Sequence, residues 1–371
     1  MFGNRIPMID SHFHIRGDGD LETLLSVSTE IQAALGLDGV CVAAIPAWDA
    51  ASVGQNVLCA LYKALHPRCY AYAGLDHDTP NADVGPDGFL RQAQRFVRMG
   101  FDGFKSIEAK PTARRALGVG LDDARYADFW AYLAQRRAPV LWHVADPEEN
   151  WRRATCDPFA IASGWCYEDE GFASKETLYG ETERVLARNP KLNVVFAHLY
   201  FLGADQPRVR AFLDAHPHAR IDVTPGSEMY GHFDRDRDAW RDFFNRYADR
   251  VLFGTDNGWG DDTSPAQKVV DGCQKILLLD AFFSTDAPVT LWRGTPQRGL
   301  ALPEPTLRRM YRDNFLAMHG GAGPRALDVP LAAAYAREVW QGVQTMPQIP
   351  AAKKEQLRQA TRMLETLAQK I

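Results

Sequence analysis

Apolar and polar positions along this chain follow two rhythms in turn. Short apolar runs rich in β-branched and aromatic residues recur at 8–14, 39–46, 69–76, 103–109, 139–145, 193–200, 219–224 and 250–256, and they predict strands. Between them the apolar positions return with helical spacing, which predicts amphipathic helices over 90–99, 126–135, 175–188, 207–215 and 237–247. Eight strands alternating with helices imply a parallel sheet, and at this count a closed (β/α)8 TIM barrel of the α/β class. An open doubly wound sheet is the structural alternative. The Gly-x-Gly-x-x-Gly turn that would mark it is missing after the first strand.

Two stretches exceed a minimal barrel. Residues 146–173 form a long segment carrying Trp151, Phe159, Trp165, Tyr167 and Phe172, the length and composition of an active-site loop. Beyond 328, helical patterns over 330–344 and 351–370 are separated by Pro347 and Pro350. The expected organisation is a barrel over 1–328 and C-terminal helices over 329–371, packed on the barrel or used in an oligomer contact.

The net charge of −5, without a basic run, argues against nucleic acid or an anionic membrane as partner. A small-molecule substrate is expected, with homo-oligomer formation left open. No apolar N-terminal stretch resembles a signal peptide, and no window is apolar enough to span a bilayer. Six cysteines lie scattered, several inside apolar runs, with no Cys-x-x-Cys spacing. A reducing, cytoplasmic location follows as the expectation.

Candidate chemistry comes from the strand ends, because a parallel barrel carries its active site at the carboxyl ends of its strands. His12 and His14 project from one face of the first strand, since successive side chains alternate. Lys105 and Glu108 end the fourth, His143 the fifth, His198 the sixth and Asp256 the eighth. Four histidines and an aspartate on one rim have the makings of an open metal site. A second His-x-His, His216-Pro217-His218, precedes the seventh strand and so belongs to the opposite rim. Lys105 and Glu108 lie three apart, so strand alternation sends them to opposite faces unless the strand has ended.

The chain resembles the metal-dependent amidohydrolase superfamily, in its amidohydrolase-related branch, which also contains lactonases and decarboxylases. The resemblance rests on Ile9-Asp10-Ser11-His12-Phe13-His14, Gly103-Phe104-Lys105, Leu141-Trp142-His143, Phe196-Ala197-His198, Phe253-Gly254-Thr255-Asp256 and Met310-Tyr311-Arg312-Asp313-Asn314-Phe315, spread over roughly residues 6 to 320. It implies that His12, His14, His143 and Asp256 hold a divalent cation, zinc first and manganese as the alternative. His198 then binds a second metal or orients the attacking water. Lys105 stands where two-metal members carry a carboxylated lysine, and Glu108 is a further ligand candidate. One ion is favoured over two. The implied function is hydrolysis of an amide, lactone or related carbonyl bond by metal-activated water, with Asp256 and His198 as catalytic residues. Non-oxidative decarboxylation on the same site is the alternative, and an inactive barrel serving as a binding module is a third reading. Arg16, Lys105, Tyr200, Tyr230 and Trp259 follow their strands and are candidate substrate contacts, the cations for a carboxylate and the aromatics for a flat or apolar part.

Overall fold

In a computed structural model of the chain, the described residues are all except 1–5, 17–19, 51, 78, 80, 81, 227, 228, 259–262 and 292–295. Eight strands, β1 (Ile9–Phe13), β2 (Gly39–Ala43), β3 (Tyr70–Ala73), β4 (Gly103–Ala109), β5 (Pro139–Val144), β6 (Asn193–Phe196), β7 (Ala219–Asp222) and β8 (Val251–Leu252), pair in parallel in sequence order. The ring is drawn together by backbone bonds between β1 and the segment after β8. Ser11 N donates to Phe253 O over 3.1 Å, Asp256 N to His12 O over 2.7 Å and His14 N to Asn257 O over 2.8 Å. The buried Asp10 reinforces this seam by accepting from Thr255 Oγ1 at 2.6 Å and Thr255 N at 3.1 Å. The expected (β/α)8 barrel is present.

Strand alternation divides the apolar side chains into two cores. Ile9, Cys41, Tyr72, Leu141, Val195 and Leu252 point inward and fill the barrel with Phe315 and Met318. Their neighbours Val40, Val42, Val140, Trp142, Val194 and Phe196 point outward against the helices. The outward layer includes a stack of Trp130, Trp142 and Phe196, with ring centroids 4.8 and 5.5 Å apart. Segment Asn314–Met318 plugs the amino-terminal end of the barrel. Asn314 Nδ2 donates to the carbonyls of Ala248 and Val251, each at 2.7 Å.

The apolar periodicity translates directly into helices. In Gly88–Met99 the buried Phe89, Ala93, Phe96 and Val97 form one stripe, and the helix stops at Gly100, whose φ of 100° suits a glycine. Two strands are shorter than expected. The run over 193–200 leaves the sheet after Phe196, and of 250–256 only Val251–Leu252 is regular strand. The C-terminal helices Val329–Gln344 and Ala351–Ala368 pack on each other and on helix Gln55–Leu65. Tyr335 OH donates to Asp76 Oδ2 over 2.8 Å, and Leu357 occupies the space that a side chain at Gly54 would need. No helix among the described residues is long and apolar enough to cross a membrane.

Candidate metal centre

β1 sends His12 and His14 to the carboxyl-end rim, and their outer nitrogens fix their protonation. His14 Nδ1 lies 2.6 Å from the Ala43 carbonyl oxygen on β2. A carbonyl only accepts, so Nδ1 carries the proton and Nε2 presents a bare lone pair. His12 Nδ1 lies 3.0 Å from Asp222 Oδ2, which imposes the same tautomer. Asp222 is fully buried, and its other oxygen accepts the backbone N–H of His198 at 2.7 Å and of Thr224 at 3.1 Å. Burial pushes this carboxyl up, while His198 and its N–H oppose the rise.

The bare nitrogens converge on a carboxylate. His12 Nε2 and His14 Nε2 are 3.2 Å apart, and Asp256 Oδ1 lies 3.2 Å from His14 Nε2 and 3.8 Å from His12 Nε2. All three donor atoms fall within 4.8 Å of one another. Burial holds His12 well below the usual imidazole range and lowers His14, so both rings are neutral. Burial raises the Asp256 carboxyl, but its neighbours His14, His12 and Arg16 outweigh it and hold the group well below its ordinary value. Three lone-pair donors facing one another repel unless a cation lies between them. Two neutral imidazoles and an ionised carboxylate are the donor set for a divalent ion such as zinc, so the residues fit the group. At 30 % exposure, Asp256 is the member that faces the opening.

Lys105, His198 and His143 surround this trio. The buried Lys105 donates from Nζ to His12 Nε2 over 3.0 Å, and burial brings its pKa down to about 8. His198 lies in a turn of four consecutive residues with positive φ, His198 at 56°, Leu199 at 55°, Tyr200 at 58° and Phe201 at 50°. Non-glycine residues held there cost about 1–2 kcal/mol each, so the neighbouring contacts must enforce the turn. One such contact is His198 N with Asp222; another is His198 Nδ1 with Thr224 O at 3.2 Å, which leaves Nε2 bare. The His198 ring centroid is 5.6 Å from that of His12 and 5.0 Å from that of His143.

A family profile described as amidohydrolase matches residues 79–320, about two thirds of the chain. The chain belongs to the amidohydrolase family. The profile contains His143, His198 and Asp256; His12 and His14 lie ahead of it. Similar solved structures include an uncharacterised TIM-barrel protein, Bb4693, from Bordetella bronchiseptica, at 14% identity and TM-score 0.51, covering 85% of this chain and 99% of that one. Others are 2,6-dihydroxybenzoate decarboxylase from Rhizobium, at 17% identity and TM-score 0.50 with 86% and 100% covered, and Metarhizium anisopliae IDCase, at 14% and 0.51 with 85% and 97% covered. At these identities the likeness concerns the fold. No curated protein matches the sequence.

Within this amidohydrolase barrel the sequence-derived candidates separate. His12, His14 and Asp256 converge, with Lys105 and His198 beside them. His143 is on the same rim but is not one of the converging donors: its Nε2 donates to Asp146 Oδ1 over 3.1 Å, leaving Nδ1 as its bare nitrogen. Asp146 also accepts from Lys110 Nζ and Tyr167 OH. Burial raises the Asp146 carboxyl, but Lys110 and His143 hold it far below its ordinary value. Glu108 is turned away from the trio, its carboxylate bound by His77 Nε2 at 3.0 Å, Ser106 Oγ at 2.6 Å and Ile107 N at 2.8 Å. A register shift between Ser106 and Ala109 marks the irregularity of β4 there.

Two of the candidate substrate aromatics, Tyr200 and Tyr230, are buried in the layer between barrel and helices. Tyr200 is buried among Tyr179, Phe196 and Phe212 in the layer between barrel and helices, because the left-handed turn swings it outward. Tyr230 is buried against Phe233 and Phe282 and donates to Val223 O over 2.7 Å. Trp259 lies outside the described residues. Arg16 is exposed, near enough to lower the Asp256 carboxyl. Two carboxylates of the site escaped the sequence reading. Asp222 ends β7 and was open to the same strand-end argument, whereas Asp146, three residues past His143, carried no signal of its partners.

Proposed function

We propose that this chain is a hydrolase that holds one divalent cation, zinc or in its place manganese, with His12, His14 and Asp256, and opens an amide, lactone or related carbonyl bond of a small organic substrate. The observation that carries the reading is the meeting of two bare Nε2 atoms and a carboxylate oxygen, with both Nδ1 atoms anchored on acceptors. A cation held there supplies Lewis acidity and activates water near neutral pH. The Asp256 carboxylate takes the proton of the attacking water and delivers it to the leaving nitrogen or oxygen as the carbonyl–heteroatom bond breaks. His198 Nε2 accepts a hydrogen bond from that water and aims it. Lys105 Nζ and Arg16 bind an anionic oxygen of the substrate. The one converging donor group among the described residues favours one ion over two, and leaves Lys105 as an amine or ammonium rather than a bridging carbamate.

A second reading is non-oxidative decarboxylation on the same centre, with Asp256 protonating the carbon that loses carbon dioxide. Lys105 and Arg16 favour it by offering cations to a substrate carboxylate, and a structural neighbour bears the name of a decarboxylase. The test begins with metal analysis after reconstitution with zinc. One equivalent is expected in the wild type and in His216→Ala, whose imidazole pairs with Glu183 on the other rim. Retention should fail in His14→Ala and Asp256→Asn. A panel of lactones, amides and aromatic acids then separates a new carboxylate product from released carbon dioxide. Equal metal retention in Asp256→Asn and His216→Ala would remove the proposal.

A further inference from the structure

The amino-terminal rim, at the other end of the barrel from His12 and His14, contains a cavity of about 540 Å³. This is within the size of small-molecule sites, roughly 300–1,000 Å³. Five cations line it: Arg136 and Arg137 at the end of helix Ala127–Arg136, Lys191 before β6, Arg220 on β7, and Arg325. Asp102 is the one carboxylate in the lining among the described residues, and it is already taken. Its Oδ2 accepts from Lys63 Nζ at 2.5 Å and Ala71 N at 2.8 Å, and its Oδ1 from Arg325 N at 2.7 Å. None of the five cations forms an ion pair among the described residues.

Two further observations make this more than a basic patch. Arg220 is largely buried; its guanidinium donates to Asn193 Oδ1 over 2.8 Å, but its Nε is buried without a partner. Burial lowers its pKa, with the nearby Arg250 adding to the effect, so the charge stands there at a cost an anion would relieve. Arg137 ends its helix with φ at 50°, a left-handed position where glycine is the usual residue. The helix dipole favours a cation near that terminus but does not account for Lys191, Arg220 and Arg325 converging from other segments.

We propose that this cavity is a binding site for a small, multiply charged oxyanion, a phosphate-bearing or polycarboxylate metabolite. Planar guanidinium forks suit oxyanions with several acceptor oxygens, and the rim position makes the site separate from the metal centre.

The test is calorimetric titration of the zinc-loaded protein with pyrophosphate and with citrate at about 0.15 M salt, where exposed charges alone are strongly screened. Saturable one-to-one binding is expected, weakened about tenfold or more in Arg220→Gln, in Lys191→Ala and in Arg137→Gly. Stronger binding of pyrophosphate assigns a phosphate ligand; stronger binding of citrate assigns a polycarboxylate. Arg137→Gly also distinguishes binding from scaffolding, because glycine suits that φ. The variant should melt at the wild-type temperature or above while losing the anion, whereas a structural arginine would lower the melting temperature. Bound zinc should stay the same in all three variants. Absence of saturable binding of either anion up to roughly 10 mM, or wild-type affinity in all three variants, would overturn the proposal.

Discussion

Two nitrogens that point away from the candidate metal centre decide which lone pairs it offers. His14 Nδ1 on the Ala43 carbonyl and His12 Nδ1 on Asp222 force the lone pairs to the Nε2 atoms that converge. Asp222→Asn puts an amide in place of the carboxyl, and its NH2 can turn toward the ring, so the preferred His12 tautomer is lost. Zinc affinity should fall about 10–100-fold while the fold persists, since outer partners of ligand histidines have effects of this size. Competition with a chromophoric chelator measures the fall, and unchanged affinity would show that Asp222 does not set the tautomer. His-x-His at the end of an apolar run was legible because alternation alone puts both rings on one face. Asp222 as the partner of His12 was not legible, because that contact depends on how β7 and β1 face each other across the barrel.

At the scale of elements, irregular backbone places the remaining site groups. The expected strand over 193–200 contains no glycine, and nothing in its sequence signals four left-handed residues. The turn is held by tertiary contacts, Asp222 on the His198 N–H and Tyr179 OH on the Tyr200 carbonyl at 2.9 Å. The long segment after β5 is likewise tied down from outside itself. Asp146 accepts from Lys110, at the end of β4, from His143 and from Tyr167, and Lys110 also lies over the Trp165 ring at 4.3 Å. Lys110→Met leaves a buried carboxylate without its cation, a loss worth about 3–5 kcal/mol. The expected result is a lower midpoint in urea and faster proteolytic cleavage between 146 and 173. An unfolding free energy within about 0.5 kcal/mol of wild type would mean that the segment is held by its aromatic packing instead.

The whole molecule has two different ends, two histidines and an aspartate converging on one rim and cations without an ion pair, beside a buried histidine, on the other. His319 Nε2 meets Tyr72 OH at 2.9 Å, and its ring packs on Tyr70 and Phe315, each at 4.6 Å. Burial, with Lys63 and Arg220 nearby, lowers its pKa from 6.5 to about 3. The unfolded chain therefore binds a proton that the folded protein refuses. This contribution to stability is complete above pH 6.5 and is lost as the pH falls toward about 3. The slope is at most about 1.4 kcal/mol per pH unit, less because the ring is partly exposed. His319→Gln keeps a polar group for Tyr72 and has no such titration. The stability difference between wild type and variant, from urea unfolding in buffer free of phosphate and citrate, should shift against the wild type by about 1 kcal/mol between pH 7 and 5. A difference independent of pH would refute the assignment.

Periodicity along the chain determined the barrel, because side-chain alternation and helical spacing are local properties that the sequence states directly. His12, His14, His198 and Asp256 were placed on one rim by the same means, since in a parallel barrel every strand end points the same way. Which of them converge was decided by tertiary structure. His143 and Glu108 have the right positions in sequence, but each has a near partner, Asp146 and His77, and stands outside the three converging donors. Tyr200 has the right strand, but the turn reverses the face it occupies. The amino-terminal cations show the contrast most plainly. Arg137, Lys191, Arg220 and Arg325 are too far apart in sequence to read as a basic run, and folding alone brings them around one cavity. Charge at a point in space sums over distances through the folded molecule, which the order of residues does not contain.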